Sequence, residues 1–338
     1  MSADRLQVAV VGCGRIGATM AQDPKQFQPA THAAAFHGNP ETVLSALVDV
    51  EASRLDAAAR MYPSAGRFRD VETMLRAVRP DIVCVATPPE QHRPVVEAAA
   101  AADVAAIVCE KPLADRIDDA IALTKACVGR LLFVNHTRCF DPLVREAVTE
   151  VRAGAIGRLV QGTCYYTAGV MNSGTHTLGL LRQLAGDVEW VMALANPCPS
   201  HAPGDENVDA ILGLTEGGRL VLQVLDVKDY SIFDLWLLGS AGRMAFVNFG
   251  YEVERVGLCE RTDVTGYQQL DIPHATRRGA PRSFMRGMAS HVVGCLRGRE
   301  RPVSTGEDGL AVLAVLEAIR RSAAGGGVRI AVNGGGTR

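Results

Sequence analysis

Gln7-Val-Ala-Val-Val-Gly-Cys-Gly-Arg-Ile-Gly17 is the stretch on which the fold class turns. The run up to Val11 is an unbroken apolar strand, and the glycine-spaced segment after it opens a helical pattern toward Met20. In that setting G-x-G-x-x-G is a dinucleotide-binding signal. Gly12 permits the tight turn, Gly14 lets backbone approach a pyrophosphate, and Gly17 lets helix and strand pack closely, while the helix start supplies amide donors and a positive dipole. Glycine-rich turns are common, so the flanking strand and helix are what give the spacing its meaning.

Outward from this turn, a second strand over 43–49 ends on Asp49. That is later than the usual offset of about 20 residues, because 23–40, with Pro24, Pro29, Gly38 and Pro40, reads as a longer connection. A carboxylate there accepts hydrogen bonds from both ribose hydroxyls and repels a 2′-phosphate, which favours NAD. Arg54 nearby keeps NADP open, and the alternative for Asp49 is the N-cap of a helix over 52–61. Strands at 81–86, 105–109 and 131–135 alternate with helices at 71–78, 91–102 and 116–128, the pattern of a doubly wound parallel sheet. Thr87-Pro-Pro89 stops one strand, so Thr87 and Pro88 are expected along the cofactor groove, with His92 near the next helix start, a position commonly taken by a surface or capping residue. The strand at 105–109 runs into Glu110, Lys111 and Pro112, where a strand cannot continue regularly. Ligands of open parallel sheets lie outside the carboxyl ends of the strands, so Lys111 is expected to point toward one; a solvated Lys-Pro turn is the alternative.

The 338 residues fit two domains, and 48% hydrophobic content with a net charge of -2 gives no bulk attraction to nucleic acid or anionic membrane. The first strand has no basic and long apolar segment before it, and no apolar run approaches about 18 residues, so a cytoplasmic location without a membrane partner is expected. Nine cysteines show neither C-x-x-C nor paired Cys/His spacing; they read as reduced and structural, with no metal site.

Gly12-x-Gly14-x-x-Gly17, Asp49, Thr87-Pro88 with His92, and Glu110-Lys111-Pro112, in that order, resemble the Gfo/Idh/MocA family of glucose-fructose oxidoreductases, inositol dehydrogenases and rhizopine-catabolism proteins. The resemblance runs through nearly the whole chain. It implies an NAD-binding Rossmann domain over 1–137, and over 138–338 an α+β substrate-binding and oligomerisation domain on a large, mostly antiparallel open sheet, whose late helices are able to pack back on the first domain. The activity it implies is hydride transfer between NAD(P) and a secondary alcohol or ketone of a sugar, cyclitol or nucleotide sugar. Gly12, Gly14, Arg15, Ile16, Gly17, Asp49, Thr87, Pro88, His92, Glu110 and Lys111 would hold the cofactor, with Lys111 also on the substrate. A homo-dimer or homo-tetramer is implied, because such a sheet tends to pack against another subunit.

Asn135-His-Thr-Arg-Cys-Phe-Asp-Pro142 resembles the family segment that crosses between domains, with Asp141 and Pro142 as N-cap and first residue of a helix to about Arg152. His136 and Arg138 are candidates to face the substrate, surface contacts being the alternative. Tyr165 and Tyr166 point to opposite faces of a strand from Arg158, one of them a candidate for the pocket. Asn172-Ser-Gly-Thr-His176 resembles the family's Asp-x-Gly-x-His and opens a helix over 175–184 closed by Gly186. In the first helical turn the dipole disfavours an imidazolium at His176, leaving a neutral ring to take the alcohol proton as the hydride departs. A polar residue at a helix start is the alternative. Asn172 stands where Asp is commoner, and Gly179 where an acid often follows. An amide takes up no proton, so Asn172 orients a substrate hydroxyl or caps the helix, and Lys111 carries more of the electrostatic work.

Alternating stretches between 188 and 258 suggest the antiparallel sheet, with a hairpin signal at Glu216-Gly-Gly218 and an exposed His201 in the loop 196–207. Arg277, Arg278 and Arg282 are set either to grip an anionic substrate group or to form a solvated basic loop. Helices over 283–296 and 306–323 support the fold, and 333–338 reads as a disordered tail. Together these features describe an NAD-dependent dehydrogenase of a polyhydroxylated ring. Two alternatives are transient oxidation serving epimerisation or glycosidic-bond elimination, and a non-catalytic NAD or sugar sensor, against which Lys111 and His176 speak.

Overall fold

The computed structural model describes residues 5–201 and 204–332. They form two units, one running to Phe140 and including Arg282–Leu313, the other comprising Asp141–Pro281 and the residues from Ala314. The expected disordered tail, 333–338, lies outside the described residues.

In the first unit, β1 (Leu6–Val11), β2 (Thr42–Val48), β3 (Gly66–Phe68), β4 (Ile82–Val85), β5 (Ala106–Cys109) and β6 (Leu131–Val134) make a parallel sheet in the order β3-β2-β1-β4-β5-β6. Every residue of β4 and β5 is buried, as their unbroken apolar sequences require of strands covered on both faces. Progression reverses between β1 and β4, and ligands of such sheets bind at that reversal, beyond the carboxyl ends. Helices α1 (His32–His37), α2 (Ala52–Met61), α3 (Val71–Val78), α4 (His92–Ala101) and α5 (Ile117–Ala126) lie in the crossovers.

The segment after the glycine turn differs from the expectation. The helical pattern toward Met20 amounts to one turn, closed by Ala18 N–H on Gly14 O at 2.9 Å and Met20 N–H on Arg15 O at 2.9 Å, and a 3-10 turn at Thr19–Gln22 ends it. The connection 23–40 in turn contains α1. Pro24 and Pro29 interrupt any amide ladder, and Thr31 restarts one by accepting from Ala34 N–H at 3.1 Å ahead of an alanine run.

In the second unit, α6 (Pro142–Arg152) begins where Asp141 accepts from Leu143 and Val144 N–H, as the Asp-Pro pair predicts. Then come β7 (Leu159–Thr167), α7 (Thr175–Ala185), β8 (Val188–Ala195), β9 (Val208–Leu214), β10 (Arg219–Leu225), β11 (Asp234–Gly239), β12 (Gly242–Val247), β13 (Glu252–Val256), a small ribbon of β14 (Leu258–Glu260) and β15 (Gln268–Leu270), and β16 (Thr276–Gly279). With β17 (Ile330–Ala331) nine of these form one sheet, β16-β13-β12-β11-β7-β10-β9-β8-β17, antiparallel throughout except where β7 pairs β10. One face buries Cys164, Tyr166, Leu212, Leu222 and Leu237; the other leaves Met192, Leu194, Ile211 and Leu238 between 38% and 58% exposed. Of the two late helices, α8 (Phe284–Leu296) belongs to the first unit, where Met285, Met288 and Val292 join the core around Ala33 and Phe36 of α1. The other, α9, spans Gly306–Ala324.

The end of β6 is clamped by a serine. Val134 N–H donates to Ser304 O and Ser304 Oγ donates to Val134 O, both at 2.7 Å, while His136 Nδ1 lies 3.0 Å from the same Oγ. His136 is therefore a buried tie, 1% exposed, and no longer a candidate on an open face. Burial, aided by the charge of Lys111 and opposed by the carboxylates of Asp308 and Glu110, lowers its pKa from 6.5 to about 4. Between those values the unfolded chain binds the proton and the folded chain does not, so stability rises with pH across that window and is lost as pH falls through it. The unfolding midpoint should drop as pH is lowered from 6.5 to about 4. In His136→Gln the slope over that window should flatten, as read by circular dichroism melts at stepped pH.

Candidate active site

The glycine turn joins β1 to its first helical turn under tight constraint. Gly12 has φ +93°, and a Cβ on it would lie 2.6 Å from Ala86 O; one on Gly17 would lie 1.8 Å from Gly12 O. A Cβ on Gly14 would meet nothing within 4 Å, so what Gly14 leaves clear is space outside the protein's own packing. Arg15 is exposed on this turn, and Ile16 is half-buried against the core. Asp49, 7% exposed, follows β2; its Oδ2 accepts from Cys13 N–H and its Oδ1 from Glu51 N–H, both at 2.8 Å. It is not the N-cap of α2, a position held by Glu51. The carboxylate thus braces the turn itself, and each oxygen keeps a lone pair for a hydroxyl donor.

Beyond β4, Thr87 Oγ1 is buried without a hydrogen-bond partner among the described residues, and Pro88 is exposed beside it. An orphaned hydroxyl and a cleared glycine at the carboxyl ends of β1 and β4 are what a dinucleotide site offers. The residues present fit NAD. His92 is fully buried, correcting the surface reading: Nε2 lies 2.9 Å from Thr87 O and Nδ1 3.1 Å from Leu113 O, so its ring ties the loop after β4 to the loop after β5.

At the end of β5, Glu110 is 8% exposed. His32 Nε2 is 2.8 Å from its Oε1, Asn135 Nδ2 donates to the same oxygen at 2.6 Å, and Lys111 N–H donates to Oε2 at 3.3 Å. Burial raises the carboxyl pKa, but His32, Asn135 and the Lys111 charge outweigh it and hold it below the ordinary 4.5. The Glu110 carboxylate is committed to protein partners and acts as a buttress, while the Lys111 side chain is half-buried just beyond it. Neither His32 nor the Glu110–Asn135 pair was singled out from sequence. The one local hint was a histidine directly after a Thr cap.

In the second unit a π-helical turn, Val170–Gly174, passes into α7 without a break, with Gly174 at φ −58°, ψ −34°. The helical start is therefore one turn ahead of His176, which is half-buried as the second residue of α7, so the first-turn dipole argument does not apply as expected. Asn172 is exposed, its Nδ2 donating to Ala168 O at 3.2 Å. Tyr166 lies in the core with its OH donating to Val208 O at 2.6 Å, and Tyr165 lines a groove of about 780 Å³ on the open sheet face with Met192, Leu194 and Ile211. Arg277 pairs with Glu252, Arg278 with Glu146 and Glu150 at 2.7 and 2.8 Å, and Arg282 stacks near the Phe284 ring, 5.8 Å from its centroid. Arg138 lies over that same ring at 5.3 Å. His201 is exposed and bonded to Asp226 at 2.8 Å.

A family model described as an oxidoreductase family with an NAD-binding Rossmann fold matches residues 6–136. A D-apiose dehydrogenase of Paraburkholderia graminis is 29% identical over 94% of this chain and 88% of its own. An inositol 2-dehydrogenase of Rhizobium meliloti is 24% identical over 94% and 97%. Among solved structures, a levoglucosan dehydrogenase in complex with NADH and L-sorbose superposes with a TM-score of 0.80 at 17% identity, covering 98% of this chain and 99% of that one. The WlbA dehydrogenase from Bordetella pertussis, in complex with NADH and UDP-GlcNAcA, gives 0.76 at 23% identity over 98% and 99%. The glycine turn, the Glu-Lys-Pro strand end and the large second sheet accompany these likenesses, and residues 6–136 are similar to the NAD-binding Rossmann domain of the Gfo/Idh/MocA oxidoreductases.

Proposed function

We propose that this NAD-binding oxidoreductase oxidises a secondary alcohol of a small free sugar or cyclitol. The observation that carries the reading is that relatives aligned over nearly the full chain are dehydrogenases named for D-apiose and inositol. NAD, when bound, would supply the acceptor for the substrate hydride. Gly12, Gly14 and Gly17 would leave room for its pyrophosphate, Asp49 would accept from its ribose hydroxyls, and Thr87 Oγ1 would gain the partner it lacks. Lys111 directs its ammonium at the substrate oxygen and stabilises the charge that develops there. His176 accepts the hydroxyl proton, and Asn172 orients the hydroxyl by hydrogen bonding. The full-length relatives carry the name dehydrogenase, which favours net NADH formation over retained-NAD epimerisation, lyase chemistry or sensing.

Two finer points belong to the same proposal. The apolar side chains on the open sheet face, Met192, Leu194, Ile211 and Leu238, suit packing against a second copy, giving a homo-dimer or homo-tetramer. All nine cysteines are free thiols in the described chain, six of them buried, which suits a reducing compartment such as the cytoplasm; among the described residues no helix is long and apolar enough to cross a membrane.

Three measurements test these assignments. NADH absorbance should rise with D-apiose or myo-inositol, and Lys111→Ala and His176→Ala should each lower kcat by about 10²-fold or more, with NAD affinity preserved in His176→Ala; undiminished turnover in either variant would remove that residue from the mechanism. Asp49→Ala should raise the Kd for NAD by about tenfold and narrow the preference over NADP, because it removes both the ribose acceptor and the brace on Cys13 N–H, as followed by fluorescence titration. Sedimentation should show an oligomer that Leu194→Asp with Ile211→Asp shifts toward monomer; a monomeric native chain would end the docking assignment.

A further inference from the structure

We propose that Asp205 is a positioning residue for His176, an inference that rests on the reading of His176 as the proton acceptor. Asp205 lies 33 residues from Asn172 in sequence, yet its Oδ2 accepts from Asn172 N–H at 2.8 Å and its Oδ1 from Met171 N–H at 3.0 Å. The next two residues complete the grip: Glu206 O accepts from Val170 N–H at 2.9 Å and Asn207 Oδ1 from Gly169 N–H at 3.0 Å. A helical start leaves its first amides without intrahelical partners, and here three consecutive loop residues satisfy four consecutive amides. The fit is close enough to require glycine at 169, where φ is +88° and a Cβ would stand 2.0 Å from Asp205 Oδ2.

Two of the four bonds are charge-assisted, the stronger kind. The gripped turn continues into α7 without a break, so what fixes 169–172 fixes the direction from which His176 projects. Asp205 is held in turn through its carbonyl, which accepts from Ser200 Oγ at 2.7 Å, and Asn207 is held by Nδ2 donating to Cys198 O at 3.2 Å. The chain lacks an aspartate at 172, and the carboxylate that serves this segment arrives from Asp205, on the amide of Asn172 itself.

The test compares Asp205→Ala, His176→Ala and the double variant in the full chain, following NADH formation from D-apiose and myo-inositol together with amide hydrogen exchange across 169–176. Asp205→Ala should lower kcat about 10- to 100-fold, the scale of a reacting group held slightly out of place, with KM for NAD unchanged and exchange at 169–172 accelerated. In the His176→Ala background it should cost nothing further, because no base remains to be positioned. Asp205→Asn, which keeps one acceptor oxygen, should fall between and replaces Asp205→Ala should that variant not fold. Unchanged exchange, unchanged kcat, or the same loss in both backgrounds would overturn the inference. Full activity in His176→Ala would remove both the inference and the reading beneath it, whereas an impaired His176→Ala beside an unimpaired Asp205→Ala removes the inference alone.

Discussion

A carboxylate buried at the end of β5 is the constraint around which the first unit's chemistry is arranged. Taking one ion out of water costs several kcal/mol, so Glu110 at 8% exposure is tolerable only because its oxygens are filled by His32, Asn135 and the Lys111 amide. Those donors come from the start of α1, the end of β6 and the next residue of the chain, so one charge fastens three segments together. His92 adds a second fastening from behind, between the loops after β4 and β5. Lys111 therefore leaves a backbone held on both sides. Its flexible stem starts from a fixed point, which is the condition for an ammonium to meet a developing charge without reorganisation.

The same constraint explains what the amino-acid sequence disclosed and what it did not. Parallel strands covered on both faces must be apolar throughout, so β1, β2, β4, β5 and β6 were readable as runs, and α2, α3 and α6 announced themselves through apolar period and capping. The glycines at 12 and 17 were legible because steric exclusion is local. β3, β14, β15, β16 and β17 are short and, unlike β4 to β6, contain no unbroken apolar run of four residues, so they hold too little pattern to be found. The buttress was hidden for another reason. His32 and Glu110 stand 78 residues apart, and nothing near either one states that a histidine in an alanine-rich stretch will face a carboxylate across the sheet.

The second unit shows how far a motif read by position carries. Matched residue by residue, Asn172 looks like the loss of an acid, and His176 looks like the first turn of a helix whose dipole keeps it neutral. The backbone geometry changes the setting of both. Helical turns begin at Val170, and the amides through which a dipole acts are bonded to the loop that carries Asp205. The positive end of the helix is thereby met by a negative charge one turn before the imidazole. An acid's electrostatic contribution to a segment depends on where its oxygens sit and not on its place in a pattern. A chain that gives up aspartate at 172 therefore keeps a carboxylate on that segment when a distant loop returns one to the same peptide N–H.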